Sequence, residues 1–382
     1  MQAYVEYFQT HGQEYLYMIW QHLYLSLLAV AIAAAIGIPC GILCLRVPKV
    51  KKILTVTVPS YNVEKFLENT LDSFVDERVL DDIEVLIVDD GSKDKTAEIG
   101  RKYEEKYPDT FRVISKENGG HGSTINRGIG EAKGKYFKVV DGDDWVDQDG
   151  FAELIQRLKT CDADYVFTNY YEVNDVTGEL NPVTFPEIRK EEQMPFEMIA
   201  NETRISMHAL VLKTSILKEN QIRLDEHSFY VDVEYILYPI PYVKNVIYFD
   251  IFVYMYRLAQ VNQSVSMLGY QKHMQNHIDV IFHVLDYINA YKEKADYDKL
   301  KELYMARRIA EMVHGQVDVF ISFGSGDKVI QKKFKEFDAE VKEKNAYVYE
   351  KSGEFSGMLR LLRKFGFRFY SLIVRLSKVR NG

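Results

Sequence analysis

The sequence predicts an α/β fold: a mostly parallel, Rossmann-like mixed sheet with an N-terminal transmembrane helix before it and a C-terminal helical region after it. Three observations carry this. Between Ile53 and Asp141 short apolar runs alternate with amphipathic stretches, the pattern of βαβ units. From Leu23 to Leu45 no residue is charged. From Gly269 onward the periodicity is helical. The expected organisation is a membrane anchor and basic linker over 1–52, an α/β domain over 53–268, and a helical region over 269–382 ending in a basic amphipathic helix.

The elements follow in order. The run Leu23–Leu45 is long enough to cross about 30 Å of hydrocarbon at about 1.5 Å per residue. Glu6 and Glu14 precede it and Arg46, Lys49, Lys51 and Lys52 follow, so the positive-inside rule predicts an uncleaved single-pass anchor in the cell membrane with everything after residue 46 in the cytoplasm. A buried hairpin of soluble helices is the alternative. Ile53 to Val58 reads as a first strand. Asn62 caps a helix with apolar positions Val63, Phe66, Leu67, Leu71 and Phe74, and Glu64 lies in its first turn. Ile83 to Val88 is the second strand, Asp94 to about Tyr107 a polar helix, Phe111 to Ser115 the third strand, Gly120 to Ala132 a helix, and Tyr136 to Val140 the fourth strand. Beyond Gly150 come a helix at Phe151 to Thr160, a strand at Tyr165 to Tyr171, a helix around Val231 to Pro239 and an apolar run from Val246 to Tyr256. Two or three helices then reach about Asn345, and Gly357 to Arg380 is a last one.

Composition bounds the function. With 47% hydrophobic and 27% charged residues and nine prolines among 382, the chain is neither disordered nor collagen-like. Its 48 basic and 56 acidic residues leave −8, which argues against a nucleic-acid partner. Cys40, Cys44 and Cys161 supply neither a disulfide framework nor a four-ligand zinc site, consistent with a reducing compartment.

Two acidic clusters stand at the carboxyl ends of predicted strands: Asp89-Asp90-Gly91-Ser92 after the second and Asp141-Gly142-Asp143-Asp144 after the fourth. Open α/β sheets bind ligands at that edge. Carboxylates two residues apart suit a hard divalent cation, Mn2+ or Mg2+, that neutralises a diphosphate; the plainer reading is an acidic turn capping the next helix. An EF-hand alignment on Asp147, Asp149 and Gly150 puts Trp145 and Gln156 where carboxylates are required, and Gly119-Gly120-His121-Gly122 lacks the Gly-Lys-Ser/Thr of a phosphate loop.

Val58-Pro59-Ser60-Tyr61-Asn62, Val88-Asp89-Asp90-Gly91-Ser92, Asn118-Gly119-Gly120 with Asn126-Arg127-Gly128, and Val140-Asp141-Gly142-Asp143-Asp144-Trp145 resemble family-2 glycosyltransferases of the GT-A fold, over about residues 53 to 265. The resemblance implies a nucleotide-diphosphate sugar donor, with Pro59 and Tyr61 lining the base and Asp90, or Asp89 beside it, accepting a hydrogen bond from it. Asp141 and Asp143 would be the DxD element for ribose and metal-bound diphosphate. Glu64 would share the nucleotide pocket or serve only the helix start. Tyr230-Val231-Asp232-Val233-Glu234 is similar to the motif that carries the general base, Asp232; Val231 replaces the commoner Glu or Gln, so Glu234 stays open as its rival. Tyr254-Met-Tyr-Arg257 with Gln263-Ser264-Val-Ser266 is similar to a closing loop whose Arg257 would reach the diphosphate, or would be a solvated edge charge. His208 reads as packing or acceptor-side.

Trp20 and Trp145 are the only tryptophans, so the Gln-x-x-Arg-Trp element of processive synthases is missing. The expected activity is an inverting, metal-dependent transfer from a UDP-sugar to a cell-envelope polysaccharide or lipid-linked saccharide acceptor at the membrane. The alternatives are a sugar-phosphate nucleotidyltransferase, which would need a Gly-rich basic loop where Ser60-Tyr61-Asn62 stands, and a non-catalytic, membrane-anchored nucleotide-sugar-binding subunit. Tyr15-Leu-Tyr-Met-Ile-Trp-Gln-His-Leu-Tyr-Leu-Ser-Leu and Gly37-Ile-Pro-Cys-Gly-Ile-Leu separately resemble the start of permease subunits of glycine-betaine-type importers. That likeness ends near residue 47, and no second apolar run follows to support transport, so the segment reads as a borrowed anchor or a fusion.

Overall fold

The uncharged N-terminal run lies within one long helix, α1 (Gln2–Arg46), in the computed structural model, which describes residues 2–46, 52–258, 266–324 and 326–381. The chain divides into two compact units, Met1–Lys51 and Lys52–Gly382. In the first, Thr10–Gly37 is long and apolar enough to cross a membrane, with a hydropathy of 1.8, and its large apolar side chains point outward. That stretch overlaps the expected span. Lys49 and Lys51, on which the expected sidedness partly rests, lie outside the described residues.

The second unit begins with β1 (Leu54–Ser60), α2 (Leu67–Asp72), β2 (Ile83–Asp89), α3 (Thr96–Lys106), β3 (Phe111–Ser115), α4 (His121–Glu131) and β4 (Tyr136–Val139). Every residue of β1, β2 and β4 is buried, as expected of strands covered on both faces, which is why they read as mostly apolar runs. There follow β5 (Trp145–Val146), α5 (Gln148–Thr160), β6 (Tyr165–Asn174), β7 (Leu180–Val183), β8 (Met194–Pro195), β9 (Leu210–Lys213), α6 (Thr214–Glu219), α7 (Asp232–Leu237) and β10 (Asn245–Leu258). The C-terminal helices are α8 (Met267–Lys272), α9 (Met274–Lys292), α10 (Lys299–Ser322), α11 (Lys328–Lys344), α12 (Ala346–Phe355), α13 (Gly357–Lys364) and α14 (Tyr370–Asn381).

All ten strands belong to one sheet, in the order β3-β2-β1-β4-β9-β6-β10-β5, with β7 on β6 and β8 on β10. The first four strands are parallel; β9 runs antiparallel between β4 and β6, and β10 pairs parallel to β6 and antiparallel to β5. Strand order reverses on either side of β1, so the carboxyl ends of β1 and β4 form the switch point where α/β sheets take ligands. The hydrophobic core is continuous from Leu54 through the C-terminal helices to Val374.

Two local expectations fail for physical reasons. Asn62 does not cap a helix: it sits at φ +54, its Oδ1 accepts from Lys93 N at 2.8 Å, and its N donates to Ser92 Oγ at 3.0 Å. These bonds tie the β1 loop to the β2 loop, and the helix starts only at Leu67. The single helix expected over Gly357 to Arg380 is two, broken where Gly366 and Phe367 take φ +57 and +62.

Candidate active site

The loops at the switch point enclose a cavity of about 410 Å³ lined by Pro59, Ser60 and Tyr61 after β1, by Asp90 and Asn118, by Gly120, His121 and Thr124 at the start of α4, and by His227, Ser228 and Phe229. Pro59, Tyr61 and Asp90 thus meet there as expected. Tyr61 is 48% exposed, a free ring face at the cavity edge. Asp90 is buried with its carboxylate already engaged: Oδ1 accepts from Lys116 Nζ at 2.6 Å and Gly119 N at 2.9 Å, and Oδ2 from Gly120 N at 2.8 Å. Asp89 lies outside the cavity lining, accepting from Ser92 N at 3.0 Å. Glu64 lies outside it too: its Oε2 accepts from Lys95 N at 3.0 Å, so it braces the entry to α3 rather than its own helix start.

The DxD turn follows β4. Asp141 Oδ1 lies 2.8 Å from His121 Nε2. Burial pushes Asp141 up, but the charge of His121 and this hydrogen bond outweigh it and hold its pKa below the usual carboxylate value. Asp143 is pushed up to about 6 by burial and by the charge of Asp141. Asp144 is buried and raised well above the usual range; Tyr254 OH donates to it at 2.6 Å and Arg257 N at 2.7 Å. Arg257 is drawn into this turn: its Nε donates to Asp143 O at 2.7 Å, its guanidinium pairs with Asp175, and it lies over the rings of Trp145 and Phe66 at 4.5 and 5.0 Å. Arg257 is therefore neither a solvated edge charge nor, in this conformation, pointed at the cavity lining. The rest of the expected closing loop, Gln263 to Val265, lies outside the described residues.

A divalent cation fits the donor chemistry here. Asp141, Asp144 and His208 each offer a ligand atom, all within 4.8 Å of one another. The Nδ1 of His208 is buried with no hydrogen-bond partner among the described residues. Burial pushes this imidazole down to about 4, so it is neutral and able to ligate at neutral pH. Asp143, the expected second ligand, is outside that close group.

Asp232 opens α7 and is half-buried. Its charge helps raise the pKa of both His121 and Tyr256, which places it in the same electrostatic neighbourhood as Asp141. Its rival Glu234 is fully buried and occupied: Oε2 accepts from Asp225 N at 2.7 Å and Oε1 from Tyr238 OH at 3.1 Å, and burial lifts its pKa to about 7.

Residues 55–219 match the family described as Glycosyl transferase family 2. They are a family-2 glycosyltransferase domain. Glycosyltransferase GlyA of Streptococcus pneumoniae is 36% identical over 125 residues, 33% of this chain and 18% of its own length. The cholesterol galactosyltransferase of Borreliella burgdorferi is 23% identical over 330 residues, 80% of this chain and 87% of its own. The crystal structure of S. aureus TarS 1–349 in complex with UDP-GlcNAc shares the GT-A fold, with a TM-score of 0.60 and 18% identity over 85% of this chain and 91% of that one.

Two side chains of the family-2 domain escaped the sequence reading. His121 was visible only as part of a glycine-rich stretch, and nothing local ties it to Asp141. Lys138 is fully buried in β4, donates to His208 O at 2.7 Å and Leu210 O at 3.3 Å, and is driven by burial down to about 7. A lone lysine inside an apolar strand was the available signal.

Proposed function

We propose that the chain transfers a sugar, with inversion, from a nucleotide diphosphate donor, a UDP-sugar, to a hydroxyl of a cell-envelope polysaccharide or lipid-linked saccharide. The observation that carries this is the cavity at the switch point, lined by Pro59, Tyr61, Asp90 and by His121, whose Nε2 lies 2.8 Å from Asp141 Oδ1. The UDP-GlcNAc held by TarS supports a uridine donor. In this reading Pro59 and Tyr61 bound the base. Asp141, Asp144 and His208, with Asp143 beside them, would hold Mn2+ or Mg2+, which when bound would neutralise the diphosphate. Asp232 takes the proton of the acceptor hydroxyl while its oxygen bonds to the anomeric carbon and the bond from that carbon to the diphosphate oxygen breaks, releasing the nucleoside diphosphate. One carboxylate base suffices, with no covalent intermediate. Arg257 shapes the DxD turn through the Asp143 carbonyl and the Asp144 carboxylate. Residues 1–52 serve as a single-pass anchor that leaves the 53–268 catalytic domain and the 269–382 helical region on the cytoplasmic face.

The test is a panel of nucleotide sugars offered with Mn2+ or Mg2+, following release of nucleoside diphosphate and the anomeric configuration of the product. One UDP-sugar should be consumed with inversion. Release of pyrophosphate would instead make the chain a nucleotidyltransferase, and metal-dependent binding of UDP-sugars without turnover on any acceptor would make it a binding subunit.

A further inference from the structure

The C-terminal helices present a surface that the transfer reaction does not use. From Phe355 to the end the chain contains no Asp or Glu. Across α13, α14 and the link between them the inward face, Leu359, Leu362, Phe367, Tyr370, Ile373 and Val374, is buried. The outward face interleaves two kinds of side chain. Leu361, Phe365, Phe369 and Leu372 are 43%, 41%, 50% and 57% exposed, and Arg360, Lys364, Arg368 and Arg375 are exposed beside them. The Phe365 and Phe369 rings touch edge to face, with centroids 5.3 Å apart, so the apolar residues form a patch rather than scattered singles.

One cation of the segment shows what packing alone would look like. Arg363 turns inward, donates to Asp338 Oδ1 at 2.9 and 2.7 Å, and lies 3.6 Å from the centre of the Tyr349 ring. Arg360, Lys364 and Arg368 are exposed among half-exposed Leu and Phe. That pairing matches a bilayer interface, where aromatic and aliphatic side chains enter the acyl boundary and Lys or Arg meets phosphate headgroups. The chain as a whole carries −8 and would be repelled by an anionic surface, so the attraction has to be local.

We propose that the outward face of α13 and α14 docks on an anionic lipid surface. The contact is separate from α1 and rests on neither the transfer reaction nor the spanning of a membrane by the first unit.

The experiment uses the full chain mixed with nanodiscs of phosphatidylcholine alone or of phosphatidylcholine with phosphatidylglycerol, and reads amide hydrogen exchange across 357–375. Exchange should slow by about tenfold in the anionic discs relative to the neutral ones, an effect of the size expected when several basic residues meet anionic headgroups. Arg360→Glu, Lys364→Glu and Arg368→Glu together should abolish the difference while UDP binding, measured on the same sample, stays unchanged. Phe365→Ser with Leu372→Ser should reduce the protection with the cations intact. A chain held in both kinds of disc with equal exchange overturns the proposal. So does protection that survives the charge reversals, or that appears only on mixing with a soluble acidic protein. A chain that binds only anionic discs supports it while overturning the anchor, and a chain that binds neither overturns both.

Discussion

Replacing Asp232 with Asn, and Glu234 with Gln in parallel, separates the two carboxylates of α7 by the kind of damage each produces. Asp232 is half-buried, so Asn keeps its size and its place in the first turn, where Asn is as acceptable as Asp. Stability should change by less than about 1 kcal/mol. Turnover should fall by about 10² to 10⁴, the usual yield of general base catalysis, or about 2.7 to 5.5 kcal/mol at about 1.36 per decade. Glu234 presents the opposite case. Its two oxygens accept from Asp225 N and Tyr238 OH, so a Gln keeps the first bond with its amide oxygen and must turn its NH2 to the Tyr238 hydroxyl, which then accepts instead of donating. Reversing that buried bond and losing the carboxylate acceptor costs about 1 kcal/mol, to be read as a lower urea midpoint. Steady-state transfer, UDP affinity and urea unfolding on the same preparations decide the matter. Asp232→Asn turnover within a few-fold of wild type would refute the assignment. Glu234→Gln that loses turnover with unchanged stability would transfer the role to Glu234.

Five further outcomes are expected. Asp143→Ala should abolish transfer and weaken UDP binding by about tenfold or more when Mn2+ is present, with little change when it is absent, as measured by calorimetry; in the metal-free chain Asp143, at about 6 against an ordinary 3.8, contributes stability that is present below pH 3.8 and lost as pH rises through 6, and Asp143→Asn should remove that loss from a thermal-melt pH series. Lys138, at about 7 against 10.5, contributes stability present above pH 10.5 and lost as pH falls through 7, so Lys138→Met should flatten the melting profile between those values. Gly122→Ala puts a Cβ 2.0 Å from the Asp225 carbonyl oxygen, and the forced shift of that loop should cost about 1 to 3 kcal/mol in unfolding and also lower UDP affinity. Protease added outside intact cells should leave residues 53–382 uncut; cleavage there would reverse the proposed sidedness.

The part of the fold legible in the sequence was the part whose burial is two-sided. β1, β2 and β4 were located to within two residues at each end because full burial leaves a mostly apolar run, and the part-buried β3 was located by Phe111, Val113 and Ile114. The antiparallel middle was not: β9 is four residues long and flows directly into α6, too short for any periodicity to stand out. Asn62 misled because a side chain with good local options was claimed by partners thirty residues away. In the site, the positions of Asp141, Asp143 and Asp232 were readable from chain motifs, but whether a carboxylate is available depends on what already binds it. Asp90 and Glu234 are engaged by donors from the 116–120 and 225–238 stretches, and Arg257 by Asp143, Asp144 and Asp175, partners that no spacing rule connects. The His121–Asp141 contact depends on the β1–β4 reversal bringing α4 over the end of β4.

The clasp at Asp90 bears on how substitutions in this chain would be scored. Its carboxylate fixes Gly119 N and Gly120 N, the Gly119 carbonyl accepts from His227 N, and the stretch from His227 leads within five residues to Asp232. A defect at the end of β2 is thus handed along main-chain bonds to a loop over a hundred positions later. In a mutational scan Asp90→Ala would register as lost donor affinity and as lost turnover at once, resembling a residue that touches both substrates. Its true signature would be epistasis: combined with Gly120→Ala, which strains the same turn at φ +83, it should add little further damage, whereas combined with a change at Tyr61 the two defects should multiply.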